Sequence, residues 1–446
     1  MKRFFLKLLS LSIFLFPLSI AAQTAKTVTI KGILKNFSSQ VVIEDLSDMQ
    51  YLLPPTAERM VIPDANGNFQ ITFKLAAPNY FRLGRNILYL SPGDDLTVNV
   101  DQKNPMVGDF KGKGSQANMF LRATPFPKAG SYMEAGKNAK PTPKETIDFI
   151  FSAAALRKKE LDELKGVTPE FKRLEAARIK ADTINSLLGG RIQFYRPKIS
   201  VDALKVYETE YQKLSEEAIN QINKNFVDFS LMKLVVYRDI AEDLTKYSSN
   251  KTDILKINDW TKSSDLVSSM NKVTDKNELK KFSAEIELIK TTQYHNALKQ
   301  RLDGLLKFGK GDTAVDFTAV DLKGNPVNLA SLKGKVIYLD LWATWCGPCL
   351  QEMPFLEKLK EKYKDNNNIA FVSLSIDDDT AGWKTNVDKR KAEGFQWLIS
   401  RNKLIDYDIV GIPRTIIIDR SFKIANLNAP VPSSKDTEKI IEELLK

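Results

Sequence analysis

The first part of the chain alternates apolar and polar residues. In residues 26 to about 110 the clearest examples are the segments FQITFKL (Phe69–Leu75) and LTVNVD (Leu96–Asp101). A period of two predicts strands with one face buried and the other in water. The turn pairs Asn66-Gly67 and Pro92-Gly93 separate such runs. This pattern predicts an antiparallel β sandwich or open barrel.

The middle of the chain changes to a helical pattern. Residues 103 to about 143 are rich in Gly, Pro, Lys and Asn, which predicts a connection with little regular structure. The cluster KGKGS (Lys111–Ser115) lacks the strand and helix that flank a phosphate loop, so we interpret it as a flexible loop. From Thr146 to about Leu306, apolar residues recur with helical spacing. A loop-rich connection followed by helices is therefore expected over residues 111–307.

The last part of the chain predicts a third kind of structure. Three runs are apolar almost throughout: KVIYLDLW (Lys335–Trp342), IAFVSLSID (Ile369–Asp377) and RTIIIDR (Arg414–Arg420). Such runs are typical of strands that are buried on both faces of a sheet. Helical patterns cover Leu350–Lys364, Asp379–Gly394 and Ser434–Lys446. This alternation predicts an α/β domain over residues 308–446, and a multidomain protein as a whole.

The N-terminus has the pattern of a secretory signal peptide. Lys2 and Arg3 precede the apolar stretch Leu8–Ile20, and Ala21 is a small residue suited to a cleavage site. The stretch is shorter than the roughly 20 residues that a membrane span requires. We expect residues 1–21 to be removed and the mature chain, which begins with the β domain at 22–110, to be exported to the periplasm or cell envelope without stable membrane insertion.

The net charge of +11 does not indicate a nucleic-acid partner. Most of the excess lies in residues 111–307, which hold 35 basic and 26 acidic residues. Lys and Glu alternate there, as in LRKKELDELK (Leu156–Lys165), which is typical of a solvated helix surface. The one histidine, His295, lies far from other metal-ligand types. We therefore expect no metal and no cofactor.

Cys346 and Cys349 are the only cysteines of the chain, within LWATWCGPCLQEMP. A structural disulfide that closes so short a loop would add little stability. A metal site would need two further ligands, and no other cysteine or nearby histidine supplies them. Cys346 is predicted to be exposed at the start of a helix, where the helix dipole favours a thiolate, and Cys349 lies one turn further in and more buried. The sequence therefore predicts a redox-active Cys346–Cys349 disulfide.

The surrounding motifs add a family resemblance. WCGPC resembles the active site of thioredoxins, and Pro354 resembles the proline that kinks their active-site helix. The segment GIPRT (Gly411–Thr415) resembles the loop that carries their cis-proline. The segment Gly311–Cys346, together with Glu352, resembles the exported TlpA/ResA-like branch. The first 110 residues resemble a β domain found ahead of such domains in Bacteroidota-type proteins.

The resemblance implies a thiol-disulfide oxidoreductase with a thioredoxin-like C-terminal domain. Cys346 would be its nucleophile and Cys349 its resolving cysteine. The expected partners are proteins with disulfide bonds, as clients, and a membrane thiol electron donor of the DsbD/CcdA kind. The expected client-binding residues are Trp345, Gly347, Pro348, Ile412 and Pro413, with a cis bond before Pro413.

Two acids are candidate site residues. Asp340, six residues before Cys346, matches the buried acid of thioredoxin, although TlpA/ResA-like proteins often have a neutral residue there. Thioredoxin has a lysine on the next strand, where this chain has Ser373. A buried carboxylate without a cation would have a raised pKa and could accept a proton; the alternative is a solvated acid at a strand end. Glu352 would tune the acid–base chemistry, or only stabilise the start of its helix.

Three other functions compete with this assignment. A peroxiredoxin-like peroxidase requires Thr or Ser three residues before its cysteine, where this chain has Ala343. A binding or scaffold protein with a secondary redox site remains an alternative, because roughly 300 residues precede the α/β domain. A disulfide-forming oxidase is also an alternative. Gly347 and Pro348, between the cysteines, add no positive charge to hold a thiolate, which favours a reductase.

Overall fold

The computed structural model describes residues 25–37, 41–53, 59–64, 66–188, 201–223, 226–273, 275–377, 379–407, 409 and 411–446. The predicted signal peptide, residues 1–21, lies outside these ranges and stays a prediction. Inside them, no helix combines the length and the apolar character needed to cross a membrane.

The N-terminal part is built of strands, as its alternating pattern predicts. The strands are β1 (Lys26–Lys35), β2 (Val41–Val42), β3 (Glu44–Asp45), β4 (Met60–Val61), β5 (Asn68–Leu75), β6 (Asn79–Leu83), β7 (Asn86–Leu90), β8 (Asp95–Asp101) and β9 (Asp109–Lys113). They form the sheets β5-β1-β8-β9 and β3-β6-β7 and the pair β2-β4. Among the described strands here, pairing is antiparallel except between β1 and β8. Apolar residues of the two larger sheets share one core.

The prediction of irregular structure after residue 103 is wrong in part. Strand β9 pairs with β8, and a helix follows at Ser115–Leu121, so the KGKGS cluster is not a flexible loop. The glycines of this strand give it the composition of a loop. Glycine is required at position 112 because the backbone there is left-handed (φ +89°) and a Cβ would lie 2.4 Å from the Asp95 carbonyl oxygen. Phe110 anchors the strand in the core, with 4% of its surface exposed.

Helices fill the middle of the chain, as predicted. They are α1 (Ser115–Leu121), α2 (Pro143–Glu163), α3 (Pro169–Leu187), α4 (Val201–Ile222), α5 (Val235–Thr245), α6 (Lys251–Met270), α7 (Lys276–Leu279), α8 (Phe282–Ile286) and α9 (Thr292–Lys307). The start of α2 has a capping box, in which Thr142 and Glu145 each bond the other's backbone N–H. The buried guanidinium of Arg238 in α5 donates to the Leu46 carbonyl oxygen at 2.9 Å, which joins the helices to the β domain.

The C-terminal part is an α/β domain around one mixed sheet. Its elements are β10 (Thr318–Val320), β11 (Pro326–Asn328), β12 (Val336–Trp342), α10 (Gly347–Lys362), β13 (Ile369–Ser375), α11 (Thr380–Arg390), β14 (Phe395–Leu398), β15 (Arg414–Ile418), β16 (Ile424–Ala429) and α12 (Lys435–Leu445). The strand order is β11-β10-β14-β13-β12-β15-β16. All seven residues of β12 and of β13 are buried, which explains why their runs are almost continuously apolar.

The helical region contacts this sheet at its edge strand β16. Asn428 in β16 donates to the carbonyl oxygen of Asn271, at the end of α6. The neighbouring Ala429 pairs with Thr415 in β15, which in turn pairs with Asp340 in β12. This contact lies towards the end of the sheet from which β12 leads to the cysteines, and a second one, between Lys276 of α7 and Asp312, lies next to Ile424 at the start of β16.

Candidate active site

The connection from β12 to α10 places Cys346 at a helix start, as predicted. The N–H of Cys346 donates to the Ala343 carbonyl oxygen at 3.0 Å, which closes a turn. Cys346 is the N-cap of α10, and its Sγ accepts the N–H of Cys349 at 3.2 Å. Pro348 lies in the first turn, where a missing N–H breaks no helix bond. The local sequence thus fixes the position of the first cysteine.

The two cysteines form a disulfide, with 5.2 Å between their Cα atoms. Cys346 is 5% exposed and Cys349 is 1% exposed. The order of exposure follows the sequence prediction, but the expectation of an exposed Cys346 is wrong, because the residue packs within the hydrophobic core of the α/β domain. Among the described residues, no group of three His, Cys, Asp or Glu side chains is arranged to hold a metal ion.

Asp340 lies inside the sheet rather than at a solvated strand end. It pairs with Ser373 of β13 on one side and with Thr415 of β15 on the other, and it is 3% exposed. Burial raises the pKa of Asp340 to about 7; the charge of Lys360 opposes this rise and that of Glu352 adds to it. A carboxyl group with this pKa can exchange a proton near neutral pH.

The expectation that Asp340 lacks a cation is wrong. Lys360 of α10 is 6% exposed, and its ammonium donates to Ser373 Oγ at 3.2 Å, Glu357 Oε1 at 2.9 Å and the Glu393 carbonyl oxygen at 2.8 Å. Burial lowers the pKa of Lys360. The cation whose charge acts on Asp340 thus belongs to helix α10 and not to the neighbouring strand β13.

A signal for Lys360 was present in the sequence. Cys349, Met353, Leu356 and Lys360 follow one another at intervals of four, three and four residues. This spacing places all four on one face of α10, and all four are buried. A lysine on the apolar face of the helix could therefore have been recognised as a buried cation.

Glu352 is half-buried in α10, one turn past Cys349. Its carboxylate accepts the N–H and the hydroxyl of Ser433, both at 2.9 Å. Ser433 lies in the loop between β16 and α12. The charge of Glu352 helps to raise the pKa of Asp340, so this glutamate influences the buried acid as well as holding a loop.

The loop before β15 lies at the same end of the sheet. The peptide bond between Ile412 and Pro413 is cis, as predicted. Because Arg414 pairs with Leu341, residues 411–413 continue past the end of β12, towards the turn that leads to Cys346. The remaining expected client-binding residues, Trp345, Gly347 and Pro348, are exposed around that turn.

Part of the chain is similar in sequence to known proteins. The Redoxin family model matches residues 309–445. Thioredoxin-like protein YneN of Bacillus subtilis is 32% identical over 139 residues, which cover 30% of this chain and 79% of that protein. Thiol-disulfide oxidoreductase ResA of Bacillus thuringiensis subsp. konkukian is 30% identical over 138 residues, which cover 30% of this chain and 76% of that protein.

The chain belongs to the thioredoxin superfamily, in its TlpA/ResA-like branch. It is a thiol-disulfide oxidoreductase. Among solved structures, the thioredoxin domain of a thiol-disulfide oxidoreductase from Bacteroides vulgatus is 29% identical and covers 31% of this chain and 99% of that chain, with a TM-score of 0.29. The predicted fold class is confirmed, with N-terminal sheets, a helical middle and a thioredoxin-like domain.

The raised pKa of Asp340 predicts a pH-dependent stability. The folded protein keeps this carboxyl protonated up to about pH 7, whereas the unfolded chain ionises it near pH 3.9. The free energy of unfolding should therefore fall between about pH 4 and pH 7, by at most roughly 4 kcal/mol from this group. Asp340→Asn has no carboxyl group to ionise and should not show this loss of stability. The oxidised variant should therefore be more stable than the wild type at pH 8, as measured by urea denaturation.

Asp182→Asn is the matched control. Burial also raises the pKa of Asp182 to about 7, but this residue lies in α3, outside the thioredoxin-like domain. Both variants should flatten the dependence of stability on pH, and only Asp340→Asn should alter the pH profile of disulfide exchange. An Asp340→Asn protein that loses as much stability as the wild type from pH 4 to pH 7 would contradict the assigned pKa.

Lys360→Met tests the cation that reaches Asp340 from α10. Removing this charge should raise the pKa of Asp340 further, by about one pH unit, because an opposite charge nearby favours the carboxylate. The midpoint of the pH profile for release of a mixed disulfide should move upwards accordingly. Lys360→Arg keeps a cation and should restore the midpoint, and Lys358→Met, at an exposed position of the same helix, should leave it unchanged. An unmoved midpoint in Lys360→Met would assign Lys360 to packing alone.

Proposed function

We propose that this enzyme reduces disulfide bonds of client proteins in the periplasm or cell envelope. The observation that carries the proposal is the Cys346–Cys349 disulfide at a helix start, in the same domain as a buried acid with a pKa of about 7. A reductase requires a reactive thiol, a second thiol to release the client, and a base for that second thiol.

The reaction would proceed in two exchanges. The thiolate of Cys346 attacks a client disulfide, which forms a mixed disulfide and releases one client sulfur as a thiolate. Asp340 then takes the proton of Cys349, and the resulting thiolate attacks the Cys346 sulfur. The mixed disulfide breaks, the second client sulfur leaves and receives a proton, and the Cys346–Cys349 disulfide forms. The client gains two electrons and the enzyme loses two.

Four further assignments belong to this proposal. Glu352 tunes the acid–base step through its charge, which helps to raise the pKa of Asp340. Trp345, Gly347 and Pro348 contact the client around the attacked sulfur. Ile412, before the cis bond to Pro413, pairs its backbone with an extended client segment as an added strand. A membrane thiol donor of the DsbD/CcdA kind reduces the enzyme again after each cycle.

Export is proposed from the N-terminal sequence. Lys2, Arg3 and the apolar stretch Leu8–Ile20 have the order of charges and apolar residues of a secretory signal peptide. An exported location would bring the enzyme to proteins with disulfide bonds, which form and persist outside the cytosol.

Covalent trapping tests the order of attack and the location together. Cys349→Ser should keep clients bound to Cys346, because nothing then resolves the mixed disulfide, whereas Cys346→Ser should trap none. The adducts are identified by mass spectrometry after non-reducing separation of the native cell envelope, with the wild type as control. Equal trapping by both variants would refute the roles of the two cysteines, and adducts made only of cytosolic proteins would refute the location.

The redox potential tests the direction. Strong oxidants lie near about −120 mV and thioredoxin near about −270 mV, a gap of about 7 kcal/mol for two electrons. Gly347 and Pro348 bring no positive charge to the thiolate of Cys346, and the negative charge of Asp340 would oppose it. We expect a midpoint nearer thioredoxin in a glutathione titration. A midpoint above about −150 mV, or a Cys346 pKa near about 4, would make the protein an oxidase.

A further inference from the structure

The turn that carries Cys346 is held from the neighbouring strand by one carboxylate. Asp377 follows the end of β13 and is 5% exposed. The N–H of Thr344 lies 3.0 Å from its Oδ1 and 2.9 Å from its Oδ2, and the hydroxyl of Thr344 donates to Oδ1 at 2.6 Å. Thr344 is one of the two residues between Ala343 and Cys346 in the turn described above.

Asp377 is itself held firmly. The hydroxyl of Ser375 donates to Asp377 Oδ2 at 2.8 Å and accepts the N–H of Asp377 at 2.9 Å. The N–H of Ile376 donates to the Trp342 carbonyl oxygen at 2.9 Å, which continues the pairing of β12 with β13. The two carboxylate oxygens of Asp377 thus accept from the N–H and the hydroxyl of Thr344 and from the hydroxyl of Ser375. The carboxylate therefore forms a fixed point for the turn.

We propose that Asp377, acting through Thr344, is a positioning residue that holds the Cys346 sulfur in line for attack on a client disulfide. In the oxidised enzyme the S–S bond restrains this sulfur. In the reduced enzyme that bond is absent, and the bonds from Thr344 to Asp377 remain to fix the turn. The contact between Thr344 and Asp377 therefore positions the Cys346 sulfur in the reduced enzyme, which is the form that attacks the client. Disulfide exchange requires a defined approach of one sulfur to another.

The test separates positioning from thiol ionisation. In a Cys349→Ser background only Cys346 can react, and two rates are measured at 25 °C: mixed-disulfide formation with insulin, and alkylation by iodoacetamide. Alkylation by a small reagent depends on the thiolate fraction but not on a fixed orientation of the turn. Thr344→Val removes the hydroxyl that bonds the carboxylate, and should slow exchange about tenfold while alkylation changes less than about twofold.

Four variants complete the experiment. Thr344→Ser keeps the hydroxyl and should restore exchange to within about twofold of the parent. Asp377→Asn should slow exchange as Thr344→Val does, and the double variant should be no slower than the slower single one, because both remove the same contact. Asp321→Asn is the control. Its carboxylate also holds loop N–H groups, those of Lys323 and Asn325, but in the turn between β10 and β11.

The outcomes decide the proposal. Unchanged exchange in Thr344→Val, equal slowing of exchange and alkylation, or a Thr344→Ser protein as slow as Thr344→Val would each overturn it. Faster alkylation in Asp377→Asn with unchanged exchange in Thr344→Val would show that only the charge of Asp377 matters, and would overturn it too. The proposal rests on Cys346 as the attacking thiol. If the parent Cys349→Ser protein forms no mixed disulfide, the assignment of Cys346 as the attacking thiol fails, and the positioning proposal fails with it.

Discussion

The proposed chemistry of this enzyme depends on one carboxyl group that is buried in the middle of a sheet. Water stabilises an ionised carboxylate far better than a protein interior does, so β12 holds Asp340 in a place where its charge is costly. The neighbours then adjust this cost in opposite directions, with Lys360 reducing it and Glu352 increasing it. At an exposed position the same residue would ionise near pH 4 and would be a poor base for a thiol at neutral pH.

Features that depend on local sequence were predictable. The apolar runs of β12 and β13 indicated doubly buried strands, and the position of Cys346 followed from a strand that ends where a helix with Pro348 in its first turn begins. Strand β9 was missed because its glycines and lysines carry no alternating pattern. Its formation depends on pairing with β8, which is a tertiary effect that local propensity does not contain.

Features that depend on contacts between elements were not predictable in the same way. The face of α10 on which Lys360 lies can be derived from helical spacing, but its three hydrogen-bond partners belong to α10, β13 and a loop. Thr344 and Asp377 are 33 residues apart, and only the register of β12 with β13 brings them together. The low exposure of Cys346 likewise depends on packing in the core of the α/β domain, which its predicted place at a helix start does not reveal.

The contacts between the helical region and the sheet have a consequence for work on isolated fragments. Excision at residue 308 would remove Lys276, which pairs with Asp312, and Asn271, which accepts the amide of Asn428. The edge strand β16 would then lose a neighbour and meet water next to Ala429, two strands from Asp340. In a truncated thioredoxin-like domain the same two cysteines would therefore lie in a different electrostatic and solvent environment. Redox potentials and rate constants measured on such a fragment do not transfer directly to the intact enzyme.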